Sequence, residues 1–206
     1  MEQMQESTSQ IASRRVVDEI DHARAQEYAL LAILLSRSPD AEMIGRLALL
    51  TGDATPLGAA HAALGQAAAR TDEQRAGREF FDLFTGLGQG ELLPYASHYL
   101  TGSLYGRPLA RLRETFQRLS LERATGRSEP EDHVAILCEI MAGLVSGDIA
   151  APADSDRAFF DEHLGSWIGR FFTDLEQAQA ADFYSRVGSL GRVFVGIEAK
   201  AFALSA

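Results

Sequence analysis

The chain has 206 residues, 46% of them hydrophobic, enough to bury a sizeable core as one domain or as two closely associated halves. Its formal net charge is -10 and its Lys and Arg residues are scattered, which excludes a nucleic-acid binder, since phosphate contacts need concentrated positive charge. Cys138 is the only cysteine, so an internal disulfide and a multi-cysteine metal site are excluded and a reducing compartment such as the cytoplasm is expected.

Residues 1–15 are polar, with Gln, Ser and Thr prominent, and are predicted to be a disordered tail preceding a helical domain over 16–206. No apolar run approaches the roughly 20 residues of a membrane-spanning helix; the longest candidate, 28–35, is far too short. Over 16–36 the positions Ile20, Ala23, Tyr28, Leu31, Leu34 and Leu35 predict a first long helix, and 41–50 predicts a second, folded against it as a hairpin. The alanine-dominated 56–70 and the phenylalanine-bearing 72–84 predict two more.

The glycine-rich 86–94 then reads as a loop, and it lacks the Gly-Lys-Ser/Thr of a phosphate cradle. Next comes Pro94-Tyr95-Ala96-Ser97-His98-Tyr99-Leu100-Thr101-Gly102, dense in side chains that join an apolar body to a polar tip, as peptide recognition requires. The same spacing also fits one helical turn, with Tyr95 and Tyr99 packed inward and Ser97 and His98 facing water. Gly106 and Pro108 open a helix over 109–119, with Leu109, Leu112, Phe116 and Leu119 on one side and arginines on a solvated face.

Ser128-Glu129-Pro130-Glu131-Asp132-His133 leads into the apolar segment 134–145. Ser128 with Glu131 forms a capping-box pattern, and Pro130 suits a first turn, so a helix is predicted to start here and to stop at Gly147. Glu129, Glu131 and Asp132 would then complement the macrodipole. Capping accounts for Ser128, Pro130 and Glu131 without a ligand. Asp132 and His133, about 100° apart on a helix, would instead line two sides of a shared pocket. Residues 146–156 form the best candidate for a hinge between two lobes.

Phe159, Phe160, Leu164, Trp167, Ile168, Phe171, Phe172 and Leu175 follow at helical spacing, with Gly165 and Gly169 as interruptions. His163 among them is expected to be a hydrogen-bonded core residue, not a metal ligand, because no second His or Cys stands one turn away. Finally Phe183, Val187, Leu190, Phe194, Ile197, Ala201 and Leu204 step by four and three, the seam of a long helix. The predicted fold is all-α, a bundle of about ten helices.

Glu129-Pro130-Glu131-Asp132-His133 together with the 94–102 motif resembles the TorD/DmsD family of redox-enzyme maturation chaperones. The likeness extends from about Glu79, through Phe81-Asp82-Leu83-Phe84-Thr85-Gly86, to the closing run from Phe183 to Phe202. Glu131 stands where the usual motif has Asp, and Tyr95 where some relatives carry Trp. The resemblance implies a TorD-like all-helical cytoplasmic chaperone, not an enzyme, with no cofactor and no metal of its own. It implies as partners the twin-arginine signal peptide and the apoenzyme of a molybdenum or tungsten oxidoreductase, held back from export until its molybdenum cofactor is inserted. The residues it assigns to peptide binding are Pro94, Tyr95, Ser97 and Tyr99 on one side of a groove and Glu129, Asp132 and His133 on the other. It further implies a monomer or a dimer that exchanges lobes through 146–156. The closing segments, Phe171 to Glu176 and Leu190 to Phe194, look most like members associated with formate dehydrogenase.

Physical chemistry accommodates that assignment, because an arginine pair followed by an apolar stretch calls for partly desolvated carboxylates beside an aromatic-lined groove. Two other classes compete with it. A helical hydrolase or nucleotide-binding protein would use Glu129, Asp132 and His133 as ligands or as acid and base, but no nucleophile or phosphate loop accompanies them. A helical adaptor would bind the mature enzyme body without reading a signal peptide.

Overall fold

The computed structural model describes residues 18–122 and 129–204. Among them are ten α-helices, one π-helical turn and no strand. The helices are α1 (Glu19–Ser36), α2 (Ala41–Leu47), α3 (Pro56–Ala68), α4 (Glu73–Phe80, continued by the π turn Phe81–Thr85), α5 (Ala96–Thr101), α6 (Arg107–Arg118), α7 (Val134–Ser146), α8 (Ser155–His163), α9 (Ile168–Gln177) and α10 (Phe183–Leu204). The predicted tail 1–15 and the Ser128 half of the capping box lie outside the described residues.

The first four helices each begin where a side-chain oxygen accepts an orphan amide: Asp18 from Asp21, Asp40 from Met43, Thr55 from Gly58 and Asp72 from Arg75. α1 does not fold back on α2 as the hairpin expectation had it; its main partner is α7. α2 has seven residues and buries only Ile44 and Leu47. By contrast α1 carries a stripe through Tyr28, Leu31, Leu34 and Leu35 that matches the almost wholly apolar α7. α10 packs along α9 and α3, and Trp167, Phe171, Phe172, Phe183 and Tyr184 are all buried.

Two expected boundaries shift. α7 starts at Val134, with His133 as its cap through Nδ1, which accepts from Ala135 N at 3.1 Å. Glu131 and Asp132 therefore sit in the turn before the helix, not in its first turn. The stop is at Gly147, whose φ of 76° is the left-handed conformation that favours glycine. In α10 the four-and-three seam holds as far as Phe194, then rotates: Ile197 and Leu204 are exposed, whereas Val195, Glu198 and Phe202 are buried. A straight helix has 3.6 residues per turn, so a strict heptad stripe drifts off the core.

Glu198 can be buried because Arg24 of α1 meets it with two hydrogen bonds of 2.8 Å. Arg24 also pairs with Asp21 at 2.7 Å and with Asp156 of α8 at 3.2 Å. Burial works against the Arg24 charge, but these carboxylates outweigh it and hold the guanidinium pKa above its ordinary value. One cation thus ties α1, α8 and α10, and fixes the first turn of α8 just beyond the 147–154 connection.

Arg24→Met will leave Glu198, 2% exposed, without the guanidinium that pairs with it. The expected loss is about 3–5 kcal/mol in urea unfolding, with Glu198→Gln on the Met background restoring part of it. A second, pH-dependent link joins α1 to α3, where His61 Nε2 lies 2.7 Å from Glu27. That hydrogen bond is the largest cause of a His61 pKa raised above its ordinary 6.5, so its stabilisation is complete below 6.5 and fades as pH rises through the folded value. His61→Gln will flatten that part of the stability-versus-pH curve, and NMR titration of the wild-type ring will read the raised pKa directly.

Candidate functional site

The two motifs that sequence reasoning singled out lie 38 positions apart and are joined by backbone. Val134 N donates to Pro94 O at 2.8 Å and Ala96 N to Asp132 O at 3.0 Å, an isolated antiparallel bridge centred on Tyr95 and His133. Successive side chains of an extended segment point to opposite faces. Tyr95 and His133 accordingly share one face, their rings edge-on at 5.2 Å, and Ala96 and Asp132 share the other.

On the first face opens a groove of about 320 Å³. Phe80 and Phe84 form one apolar wall, in edge-to-face contact at 5.1 Å and both backed by Tyr184. Leu35 of α1 and Ile136 of α7 add to it, with Pro94 and Tyr95 opposite. The polar side is Glu129 and His133. The Tyr95 hydroxyl donates to Glu129 Oε2. Burial, and then this carboxylate, push the phenol pKa up, so Tyr95 stays a donor. Because His133 Nδ1 accepts from Ala135 N, a neutral ring carries its proton on Nε2.

On the second face Asp132 is 1% exposed. Its Oδ2 accepts from Ser97 N at 2.8 Å and so caps α5, whose own preceding residue provides no cap. Its Oδ1 is buried with no hydrogen-bond partner among the described residues, and the residue lines a smaller pocket of about 60 Å³. Ser97 is fully buried, with Oγ accepting from Tyr105 N at 3.0 Å, so the expectation that it faces water fails. Tyr99 turns away from the groove: its hydroxyl donates to Asp174 at 2.9 Å, its ring packs on Trp167 and Phe171, and Arg170 lies over it. Glu131 pairs with Arg113 at 2.9 Å.

Of the seven assigned residues, the groove gathers Pro94, Tyr95, Glu129 and His133; Asp132 and Ser97 hold its frame, and Tyr99 belongs to the α9 surface. Leu35, Phe80, Phe84 and Ile136 were not singled out for the site. Phe80 and Phe84, four apart just before the Gly86 break, gave the one local signal that could have found them. Among the described residues no group of three His, Cys, Asp or Glu side chains is placed to hold a metal ion, and no helix is long and apolar enough to cross a membrane. His163 is buried with Nε2 2.9 Å from Thr115 Oγ1, and burial pushes the Cys138 thiol up to about 12, which leaves it unreactive.

A family profile described as "Nitrate reductase delta subunit" matches residues 51–173, more than half of the chain. "Chaperone protein TorD" of Vibrio cholerae serotype O1 is 29% identical over 126 residues, 57% of each chain. The TorD chaperone of Aliivibrio fischeri is 28% identical over 132 residues, 59% of this chain and 61% of that one. The chain belongs to the TorD/DmsD family of redox-enzyme maturation chaperones. The match spans less than two thirds of the length of these TorD relatives. The fold is also that of a crystal structure of a putative redox enzyme maturation protein from Archaeoglobus fulgidus, with a TM-score of 0.56 at 20% identity over 84% of this chain and 93% of that one.

Burial makes Asp132 open to a test of stability. Asp132→Ala leaves the Ser97 amide buried without an acceptor and is expected to cost about 1–3 kcal/mol. Asp132→Asn keeps a carbonyl for that bond and will lose less, as urea unfolding of the two variants will show.

Proposed function

We propose that this chain is a cytoplasmic chaperone that binds the twin-arginine signal peptide of a molybdenum or tungsten oxidoreductase precursor and delays its export until the cofactor is inserted. The observation that carries this is the groove itself: an apolar wall of Phe80, Phe84, Leu35 and Ile136 faces Glu129, His133 and the Tyr95 hydroxyl across a single opening. A peptide that places a guanidinium next to an apolar run needs that combination, a carboxylate for the charge-assisted bond and apolar area for the segment that follows. The net charge of -10 adds long-range attraction for such a peptide. Family membership and the TorD relatives support the chaperone class, and the likeness of the closing run points to the catalytic subunit of a formate dehydrogenase as client. The segment 146–156, which contains the Gly147 stop and Asp154 at φ 60°, is the proposed hinge for lobe exchange in a dimer.

Calorimetry with a peptide carrying the arginine pair and its apolar run tests the groove. Glu129→Gln is expected to weaken binding about three- to tenfold, since Glu129 is exposed and its charge partly screened. Phe84→Ala will weaken it through lost apolar area, and a lysine pair in the peptide will bind less well than the arginine pair. Unchanged affinity in both variants, with binding instead to the mature enzyme body lacking its leader, would replace this function with that of an adaptor.

A further inference from the structure

The connection from α5 to α6 belongs to neither wall of the groove, and it turns apolar side chains outward. Leu100, Leu104 and Tyr105 are 42%, 37% and 57% exposed. The backbone that presents them has a fixed shape: Gly102, Tyr105 and Gly106 are all left-handed, at φ 75°, 69° and 76°. Glycine adopts that conformation freely, but a tyrosine there is strained, and it is held by its own amide, which donates to Oγ of the buried Ser97 at 3.0 Å. Leu100 lies beside Pro108 and Arg111 of α6, since all three line one small pocket. The charge of this face runs against that of the chain. α6 carries four arginines, Arg107, Arg111, Arg113 and Arg118, and one acid, Glu114, in a protein of net charge -10. Arg113 is taken by Glu131 at 2.9 Å and Arg118 by Glu162 at 3.1 Å. Arg107 and Arg111 are exposed and have no ion-pair partner among the described residues. Arg107 also stands in the first turn of α6, where a cation opposes the macrodipole, so it does not serve that helix.

We propose that the α5–α6 face is a docking surface for an acidic polypeptide segment of a partner protein, one that sets Asp or Glu side chains beside apolar ones. Its carboxylates pair with Arg107 and Arg111, and its apolar residues cover Leu100, Leu104 and Tyr105. Tyrosine and arginine around an apolar patch are the composition of an interface centre, and the planar guanidinium fork matches a carboxylate. At about 0.15 M ionic strength screening acts within about 8 Å, so a segment seated here meets these arginines and not the distant acidic surplus. An anionic lipid surface fits less well, because it would confront the whole chain and its charge of -10. The partner is opposite in charge to the peptide proposed for the groove, and the two proposals stand independently.

The test is NMR of the full-length protein with a short blocked peptide of Asp, Glu, Leu and Phe as probe. The controls are the same peptide with Asn and Gln in place of its acids, and vesicles of phosphatidylglycerol. Saturable shifts of the Leu104, Tyr105 and Arg111 amides are expected in the millimolar range or below, with the neutral peptide about fivefold weaker. Arg107→Ala combined with Arg111→Ala will weaken binding about tenfold and leave the urea midpoint unchanged, since both side chains are exposed and unpaired. Tyr105→Asn, whose side chain tolerates a positive φ, will weaken binding about threefold without lowering that midpoint, which separates docking from support of the turn. The proposal is overturned by the absence of saturable shifts, by equal binding of the acidic and neutral peptides, or by equal binding to the double variant. Shifts confined to Phe84 and His133 overturn it as well and leave the groove function standing, and binding of the vesicles in place of the peptide would make this face a lipid contact instead.

Discussion

Two backbone hydrogen bonds, Val134 to Pro94 and Ala96 to Asp132, decide how the acidic motif is used. They set Tyr95 and His133, both extended, side by side, while Asp132 stays in the turn that His133 N closes on Pro130 O at 3.1 Å. His133 and Asp132, neighbours in sequence, thereby line different cavities, one the larger groove and one the smaller pocket. Had 129–133 been the first helical turn, as a capping box would have it, both side chains would have pointed into one space. The bridge also explains why α7 starts where it does, since its first amide is already satisfied by Pro94.

The same economy runs through the helix termini. α5 takes its cap from Asp132, and α10 takes its cap from Glu79, whose carboxylate accepts from Asp182, Phe183 and Tyr184 amides at 2.9–3.2 Å. Glu91 likewise accepts from Gln179 and Ala180 in the α9–α10 connection. Carboxylates drawn from distant parts of the chain neutralise the positive helix ends, and Arg24 does the converse for Glu198 and Asp156. Part of the acidic surplus is therefore architecture. Glu129, by contrast, lies on the groove, where its Oε2 accepts from the Tyr95 hydroxyl.

The all-helical fold and most helix positions were legible in the sequence because amphipathic spacing is a local signal. Gly147 as a stop and His163 as a hydrogen-bonded core residue were legible for the same reason. What the spacing could not show was pairing between segments 38 positions apart, since a one-bridge contact leaves no periodicity. It misplaced the start of α7 because Glu131, there read as a capping acid, is held by Arg113 instead. It carried the α10 seam through Ile197 because a charged Glu198 looks like surface until Arg24 is seen beside it. The family motif named two segments that the fold brings together, but which of their side chains share an opening is a three-dimensional fact.

The apolar wall owes its position to a local departure from helical geometry. At the end of α4 the chain widens into a π turn closed by Gly86 N on Phe81 O at 2.7 Å. The carbonyls of Asp82 and Leu83 are then taken by Glu91 and Leu92 amides at 3.0 and 2.8 Å, which brings the loop back on its own start. Gly86, at φ 60°, and Gly90, where a Cβ would come within 2.5 Å of Leu83 O, are positions that a side chain would strain or block. The glycine-rich stretch is thus a closed turn of fixed shape, not a slack linker. It delivers Pro94 and Tyr95 to the bridge a few residues after Phe84 has left the helix, so wall and rim of the groove are set by one short piece of chain. That is why an apolar surface and a carboxylate from the other side of the sequence can face each other at all.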